Sequence, residues 1–164
     1  MTRTRSCGFT MLEILVALVV VAVLAAIAIP SYQAYVIRAQ RAAAKSTLEQ
    51  AAQYLERNYT TYGCYNYQAQ ADCAGQAGTT ALNNLPTSLA SAPSGGPASY
   101  AIAIAAPPAG TPAGQAFSLT ATPTATFTDP DCGSLSLDNT GQTGINVSGT
   151  WDYTSAQALT CWQR

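Results

Sequence analysis

Few side chains in this sequence could do chemistry, and the one in the least expected place is a carboxylate. Glu13 lies near the start of an apolar run, Phe9 to Ile29, that only Thr10 and Glu13 itself interrupt. A carboxylate inside an apolar membrane span costs up to about 2.5 to 3.5 kcal/mol and by default marks a functional feature. Glu13 therefore needs a partner.

The other reactive residue types point away from catalysis and metal binding. The chain has no His, which removes the commonest general base and the commonest metal ligand. Asp129, Asp131 and Asp138 form an acidic cluster in the C-terminal part, but Asp129-Pro130-Asp131 lacks a full set of ligands, so we expect a polar turn there. We accordingly predict no catalytic residues, no metal, no cofactor and no enzymatic activity.

The apolar run is long enough to cross a membrane. Twenty-one helical residues at about 1.5 Å each cover roughly 30 Å, the thickness of a bilayer's hydrocarbon core. Arg3 and Arg5 before the run favour a cytoplasmic N-terminus. A plain anchor, or a secretory signal peptide cleaved near Ala26-Ile27-Ala28, also fits these features, but neither explains Glu13.

The residues around Glu13 carry a family resemblance. Gly8-Phe9-Thr10-Met11-Leu12-Glu13 resembles the type IV prepilin signature almost position by position. The resemblance implies that a membrane-embedded prepilin peptidase cuts after Gly8 and N-methylates Phe9. It also implies that Glu13, fifth after the cut, pairs with the terminal amine of a neighbouring subunit during assembly. A buried carboxylate is tolerable only when it is paired in this way.

The same helix is predicted to continue far beyond the apolar run, to about Asn58. Residues 28–35 resemble a run in type IVa pilins, and Pro30 within it should kink the helix or mark where it melts in a filament. After Pro30, apolar residues recur at spacings of three, four and seven, which is one stripe of an amphipathic helix. These residues are Ile37, Ala44, Leu48, Ala52, Leu55 and Tyr59.

A basic cluster lies on the face of this helix opposite the predicted stripe. Arg38, Arg41 and Lys45 fit a solvated surface, which we favour, pairing with acidic residues of neighbouring subunits, or DNA binding. No Lys or Arg occurs from Asn58 to Gln163, which weighs against nucleic acid as a partner, because phosphate contacts need clustered cations.

The cysteines indicate an oxidising compartment. Cys7 lies in the leader that the resemblance removes, and the four that remain lie in the part placed outside the cytoplasm, where disulfides persist. Four cysteines allow three pairings. We favour Cys64 with Cys73, closing a short Gly- and Ala-rich loop, and Cys132 with Cys161, bracketing a hairpin-like tail.

The C-terminal part reads as a small β domain. Ser99 to Ile104 and Ala116 to Thr120 alternate with period two, and further alternation follows Cys132, so we predict three or four antiparallel strands. A long N-terminal hydrophobic and amphipathic helix packed on a small antiparallel sheet is an α+β pilin fold.

The predicted organisation is a cleaved leader 1–8, a transmembrane and filament-core helix 9–29, an amphipathic half 30–62, and a disulfide-containing β domain 63–164. We place Trp151, Tyr153 and Trp162 in the core rather than on a binding surface, because aromatic residues near a disulfide are more often core.

The sequence from Cys132 to Trp162 also resembles the C-terminal region of PilE-like minor pilins. The resemblance implies a type IVa minor pilin that works in pilus assembly, adhesion or twitching motility. Its expected partners are other pilin subunits, prepilin peptidase and an inner-membrane assembly platform. It would be held in the inner membrane with a periplasmic C-terminal domain, and later in the surface pilus. A type II secretion pseudopilin and a DNA-uptake competence pilin are the alternatives.

Overall fold

A computed structural model describes residues 10–65, 85–105 and 114–163. Its contacts divide the chain into two units, one up to Ile37 and one from Arg38 onwards. The predicted cleavage site, Gly8 and Phe9, and the predicted Cys64 partner, Cys73, lie outside the described residues, so both remain predictions.

The first element is a helix of 52 residues, α1, which spans Met11–Tyr62. At its start, Thr10 Oγ1 accepts a hydrogen bond of 3.2 Å from the backbone N–H of Glu13, which satisfies one of the unpaired donors of the first turn. The helix passes through Pro30 without ending.

The end of α1 lies one turn beyond the predicted Asn58. Gly63 follows Tyr62 with a φ of 78°, a left-handed conformation that glycine adopts without steric cost. Its N–H donates to the carbonyl oxygen of Tyr59 at 2.8 Å and so closes the last turn.

In the unit up to Ile37, the apolar side chains of α1 are uncovered. The large apolar residues from Met11 to Ile29 are each between 49 % and 89 % exposed in the isolated chain. By length and composition, α1 is the helix among the described residues that could cross a membrane. A continuous apolar surface of this extent needs a membrane or other subunits to cover it.

The unit from Arg38 onwards contains a five-stranded antiparallel sheet with strands in sequential order. The strands are β1 Ser91–Ala92, β2 Tyr100–Ala105, β3 Ser118–Pro123, β4 Ser134–Asp138 and β5 Thr143–Asn146. The two strands expected near Ser99 and Ala116 are β2 and β3. The two-residue β1 falls in a segment for which no strand was predicted, because it is too short to show an alternating pattern.

Side-chain alternation gives the sheet two different faces. Leu119, Leu135 and Ile145 are buried on the inner face with Leu48 and Leu55 of α1. The buried residues of α1 are Arg41, Ala44, Thr47, Leu48, Ala51 and Leu55. The predicted stripe is therefore confirmed at Ala44, Leu48 and Leu55, which are buried, and Ala52 and Tyr59 are partly buried and pack against the same core.

The predicted hairpin-like tail between Cys132 and Cys161 is confirmed by the antiparallel pair β4 and β5, and a short helix that was not predicted follows it. After β5, helix α2 spans Ala156–Gln163. Ser155 Oγ accepts the N–H of Ala158 at 3.1 Å and caps its first turn. Cys161 of α2 forms a disulfide with Cys132, which is one of the two favoured pairings.

Candidate functional site

Glu13 lies in the first turn of α1, and its side chain is exposed. A carboxylate at a helix N-terminus interacts favourably with the helix dipole by about 0.3 to 1 kcal/mol. That is smaller than the cost of about 2.5 to 3.5 kcal/mol for a carboxylate deep in a membrane span. Among the described residues none forms an ion pair with Glu13. The helix dipole alone therefore does not account for a carboxylate here.

The three residues of the basic cluster on α1 differ in their burial. Arg38 is exposed, Lys45 is half-buried, and Arg41 is buried with 6 % exposure. The solvated surface favoured for the cluster is wrong for Arg41. Arg41 lies three residues before Ala44 and seven before Leu48, so it occupies the buried stripe itself. That spacing is the sequence signal that could have placed it.

Arg41 is neutralised by a residue of its own chain. Its Nη2 donates to Asp129 Oδ1 at 2.7 Å and its Nε donates to Oδ2 at 2.8 Å, which is a bidentate ion pair. The side chains of Arg41 and Asp129 are 7 % and 0 % exposed. Asp131 also approaches Arg41, at 3.8 Å, but it is largely exposed. Arg41 thus has no charge left over for a neighbouring subunit or a phosphate.

Asp129 accepts further hydrogen bonds from one side chain and from the backbone. The Tyr100 hydroxyl on β2 donates to Oδ2 at 2.7 Å, and the backbone N–H of Cys132 donates to Oδ1 at 3.0 Å. Burial alone would raise the pKa of Asp129, but hydrogen bonds from Arg41, Tyr100 and Cys132 outweigh it and hold that pKa below its usual value. Burial and the bond to Asp129 raise the pKa of Tyr100, so its hydroxyl remains a donor.

Lys45 connects α1 to the C-terminal helix. Its Nζ donates to the carbonyl oxygens of Cys161 and Trp162 at 3.3 and 3.2 Å, in the last turn of α2, where carbonyls lack helical partners. Burial, and then the charge of Arg41, lower the pKa of Lys45.

These contacts join four elements into one cluster, which we call the helix clamp: Arg41, Lys45, Tyr100, Asp129 and the Cys132–Cys161 disulfide. The helix clamp fixes the second half of α1 to β2, to the loop at Asp129 and to α2. Sequence reasoning placed Asp129 in a polar turn but identified neither Asp129 nor Tyr100 as part of this cluster, because they lie 88 and 59 positions from Arg41.

Within residues 10–65, 85–105 and 114–163, no group of three or more His, Cys, Asp or Glu is placed to hold a metal ion. The polar contacts described above fix structure and hold no nucleophile beside a base.

Comparison with known proteins covers both halves of the chain. Residues 3–29 match the prokaryotic N-terminal methylation motif, which includes Glu13. Residues 30–136 match the family described as type IV minor pilin ComP, DNA uptake sequence receptor. That second match includes more than half of the chain. The chain belongs to this family of type IV minor pilins.

Two solved structures of pilins are similar to the chain. A type IV pilin from Shewanella oneidensis is 28 % identical, with 73 % of this chain and 98 % of that one covered and a TM-score of 0.39. The non-core minor pilin PilV of Neisseria meningitidis is 15 % identical, with 76 % and 94 % covered and a TM-score of 0.41. No individually curated protein matched significantly.

We expect the helix clamp to make the pilin sensitive to acid. Because the pKa of Asp129 is lowered in the folded state, its contribution to stability is present above the unfolded value of about 3.9. That contribution is lost as the pH falls from there through the folded pKa. We expect thermal unfolding of the detergent-solubilised full chain to shift to lower temperature below about pH 4. An Asp129→Asn variant should lack this component of the shift, and an unchanged acid profile would contradict the assignment.

Proposed function

We propose that this minor pilin is cleaved between Gly8 and Phe9, N-methylated at Phe9, and assembled into a type IV pilus through α1. The match of residues 3–29 to the methylation motif is the observation that carries the proposal. The exposed apolar side chains from Met11 to Ile29 support it, because packing against other subunits would cover them. The positive terminus created at Phe9 would give Glu13 its partner in a neighbouring subunit.

Before assembly, we place the subunit in the inner membrane with the unit from Arg38 onwards in the periplasm. Arg3 and Arg5 on the leader side support this orientation. The Cys132–Cys161 disulfide supports an oxidising compartment for the same unit. Prepilin peptidase and an inner-membrane assembly platform are the partners that such a path requires.

Detection of the protein in sheared surface filaments tests this function against a type II secretion pseudopilin. We expect an antibody against the folded domain to find the subunit in the sheared fraction, in small amount relative to the major pilin. Its presence in periplasmic and membrane fractions alone, with sheared filaments free of it, favours the pseudopilin.

A second candidate function is DNA uptake, because the matching family is described as a receptor for a DNA uptake sequence. The charges of this chain argue against it. Arg41 is buried in its ion pair with Asp129, and Lys45 donates to α2. In the described part of α1 beyond Pro30, the exposed cations are Arg38 and Arg57, and no Lys or Arg follows until Arg164.

The two exposed cations among the described residues, Arg38 and Arg57, allow only weak contact with phosphates. Each neutralised phosphate of duplex DNA contributes a slope of about −0.9 to log K against log salt. We therefore expect the full chain in zwitterionic detergent to bind duplex DNA weakly, with affinity falling by roughly tenfold or less between about 50 and 200 mM salt. Tight binding with a much steeper slope in fluorescence anisotropy would establish DNA uptake as the function instead.

A further inference from the structure

The outer face of the sheet carries a cleft. It lies over β3, β4 and β5 on the side away from α1, and its volume is about 540 Å³. Ligand sites in proteins have volumes of about 300 to 1,000 Å³. We call it the outer-face cleft. Most of the residues that line it carry a polar side chain.

A buried hydroxyl group lies at the floor of the outer-face cleft. Ser136 on β4 is 3 % exposed, and its Oγ makes no hydrogen bond to any described residue. Buried hydroxyls are normally bonded, so this one lacks a partner that a ligand or a water molecule reaching the floor of the cleft would supply. Ser118 on the adjacent β3 adds a second, half-buried hydroxyl to the lining.

The rim supplies amide groups held on a rigid turn. Asp138 Oδ1 accepts hydrogen bonds from the backbone N–H groups of Thr140 and Gln142 and from Thr140 Oγ1, at 2.7 to 2.9 Å. That carboxylate therefore fixes the turn. The side-chain amides of Asn139 and Gln142 line the cleft and make no side-chain hydrogen bond to the described residues. Each amide offers both donors and an acceptor.

An aromatic ring forms one wall. Tyr153 is 39 % exposed, which corrects its expected place in the core. Its ring lies against Gly144, where an added Cβ would be 2.6 Å from Cδ1 and Cε1 of the ring and 2.8 Å from Ser136 Oγ. Only the absence of a side chain at Gly144 lets the ring lie so close to β5. Trp151 stacks beside Tyr153, with ring centroids 6.5 Å apart, and so helps to hold it.

The charge of the lining selects among ligands. It contains one carboxylate, Asp138, and no Lys or Arg, so phosphates and other anions have no counter-charge. Hydroxyl and amide groups that both donate and accept match a ligand rich in hydroxyls. The electron-rich face of a tyrosine ring suits the slightly positive C–H face of a sugar ring.

We propose that the outer-face cleft binds an uncharged saccharide unit, with Tyr153 stacked on the sugar ring and Ser136, Asn139 and Gln142 bonded to its hydroxyls. The site is built within a single subunit and does not depend on the proposed processing or on incorporation into a filament.

Titration of the full chain with neutral sugars tests the proposal. The protein is kept in a zwitterionic detergent without a sugar headgroup, and glucose, galactose, N-acetylglucosamine, N-acetylgalactosamine, lactose and maltose are added separately. Saturation-transfer NMR and tryptophan fluorescence report binding, since Trp151 stacks on Tyr153. We expect at least one sugar to bind saturably, with transfer strongest to its ring C–H protons.

Two variants and two matched controls localise the site. Tyr153→Ala and Gln142→Ala should each weaken binding by roughly tenfold or more, a loss of about 1.4 kcal/mol. Tyr35→Ala and Gln53→Ala, which remove exposed residues of the same types from α1, should leave it unchanged. No saturable binding of any of the six sugars overturns the proposal, as does binding that survives Tyr153→Ala. Preferential saturable binding of glycylglycine overturns it too, in favour of a peptide site.

Discussion

Replacing Asp129 with Asn is expected to lower the free energy of unfolding by about 3 to 5 kcal/mol, which is a large part of the 5 to 15 kcal/mol typical of a domain. The substitution replaces one of the two carboxylate oxygens that accept hydrogen bonds from Arg41 and cancels the charge that neutralises Arg41; Tyr100 donates to one of the same two oxygens. A buried guanidinium would remain without a counter-charge. Chemical denaturation of the full chain in detergent, followed by near-UV circular dichroism, measures the effect.

Asp131→Asn is the matched control, since the same change two residues away affects a side chain that is 78 % exposed and 3.8 Å from Arg41. We expect a loss below about 1 kcal/mol, as for other exposed ion pairs. The double variant Arg41→Met with Asp129→Asn should be less destabilised than Asp129→Asn alone, because no unpaired charge stays buried. Equal losses for Asp129→Asn and Asp131→Asn would show that the helix clamp contributes no more than a surface contact.

The second large effect is expected at Glu13. Glu13→Gln should reduce incorporation into sheared filaments by roughly a hundredfold or more, because loss of one partner of a buried ion pair costs about 3 to 5 kcal/mol. The fold should not change, since Glu13 is exposed in the isolated subunit and its structural contact is made by its backbone N–H with Thr10. Quantitative immunoblotting of the sheared and membrane fractions gives the ratio.

Glu49→Gln provides the control for Glu13, because it removes an exposed carboxylate from the same helix, outside the apolar run. Its incorporation should equal that of the wild type. If Glu13→Gln enters filaments as well as Glu49→Gln does, the terminal amine is not the partner of Glu13.

Features encoded by neighbouring residues could be predicted from the sequence. The apolar run, the stripe at Ala44, Leu48 and Leu55, and the alternation in β2 and β3 each reflect one element that buries one face. The resemblance around Gly8 to Glu13 is likewise local. The family match over residues 3–29 includes the same motif.

The helix clamp could not be predicted in the same way, because its members come from distant parts of the chain. Arg41 was placed with solvated charges because most charged residues on helices are exposed, and the carboxylate that makes its burial tolerable is 88 positions away. α2 was not predicted for a different reason, because it has only eight residues and its sequence signal is little more than the capping Ser155 before Ala156.

Mass spectrometry of the N-terminus tests the central claim most directly. The protein is extracted from membranes of cells with active prepilin peptidase, and its N-terminal peptide is sequenced. The account predicts a chain that starts at N-methylated Phe9, with Arg3, Arg5 and Cys7 removed together with the leader. A chain that retains the leader, or one cut after Ala28 by a secretory signal peptidase, would contradict it.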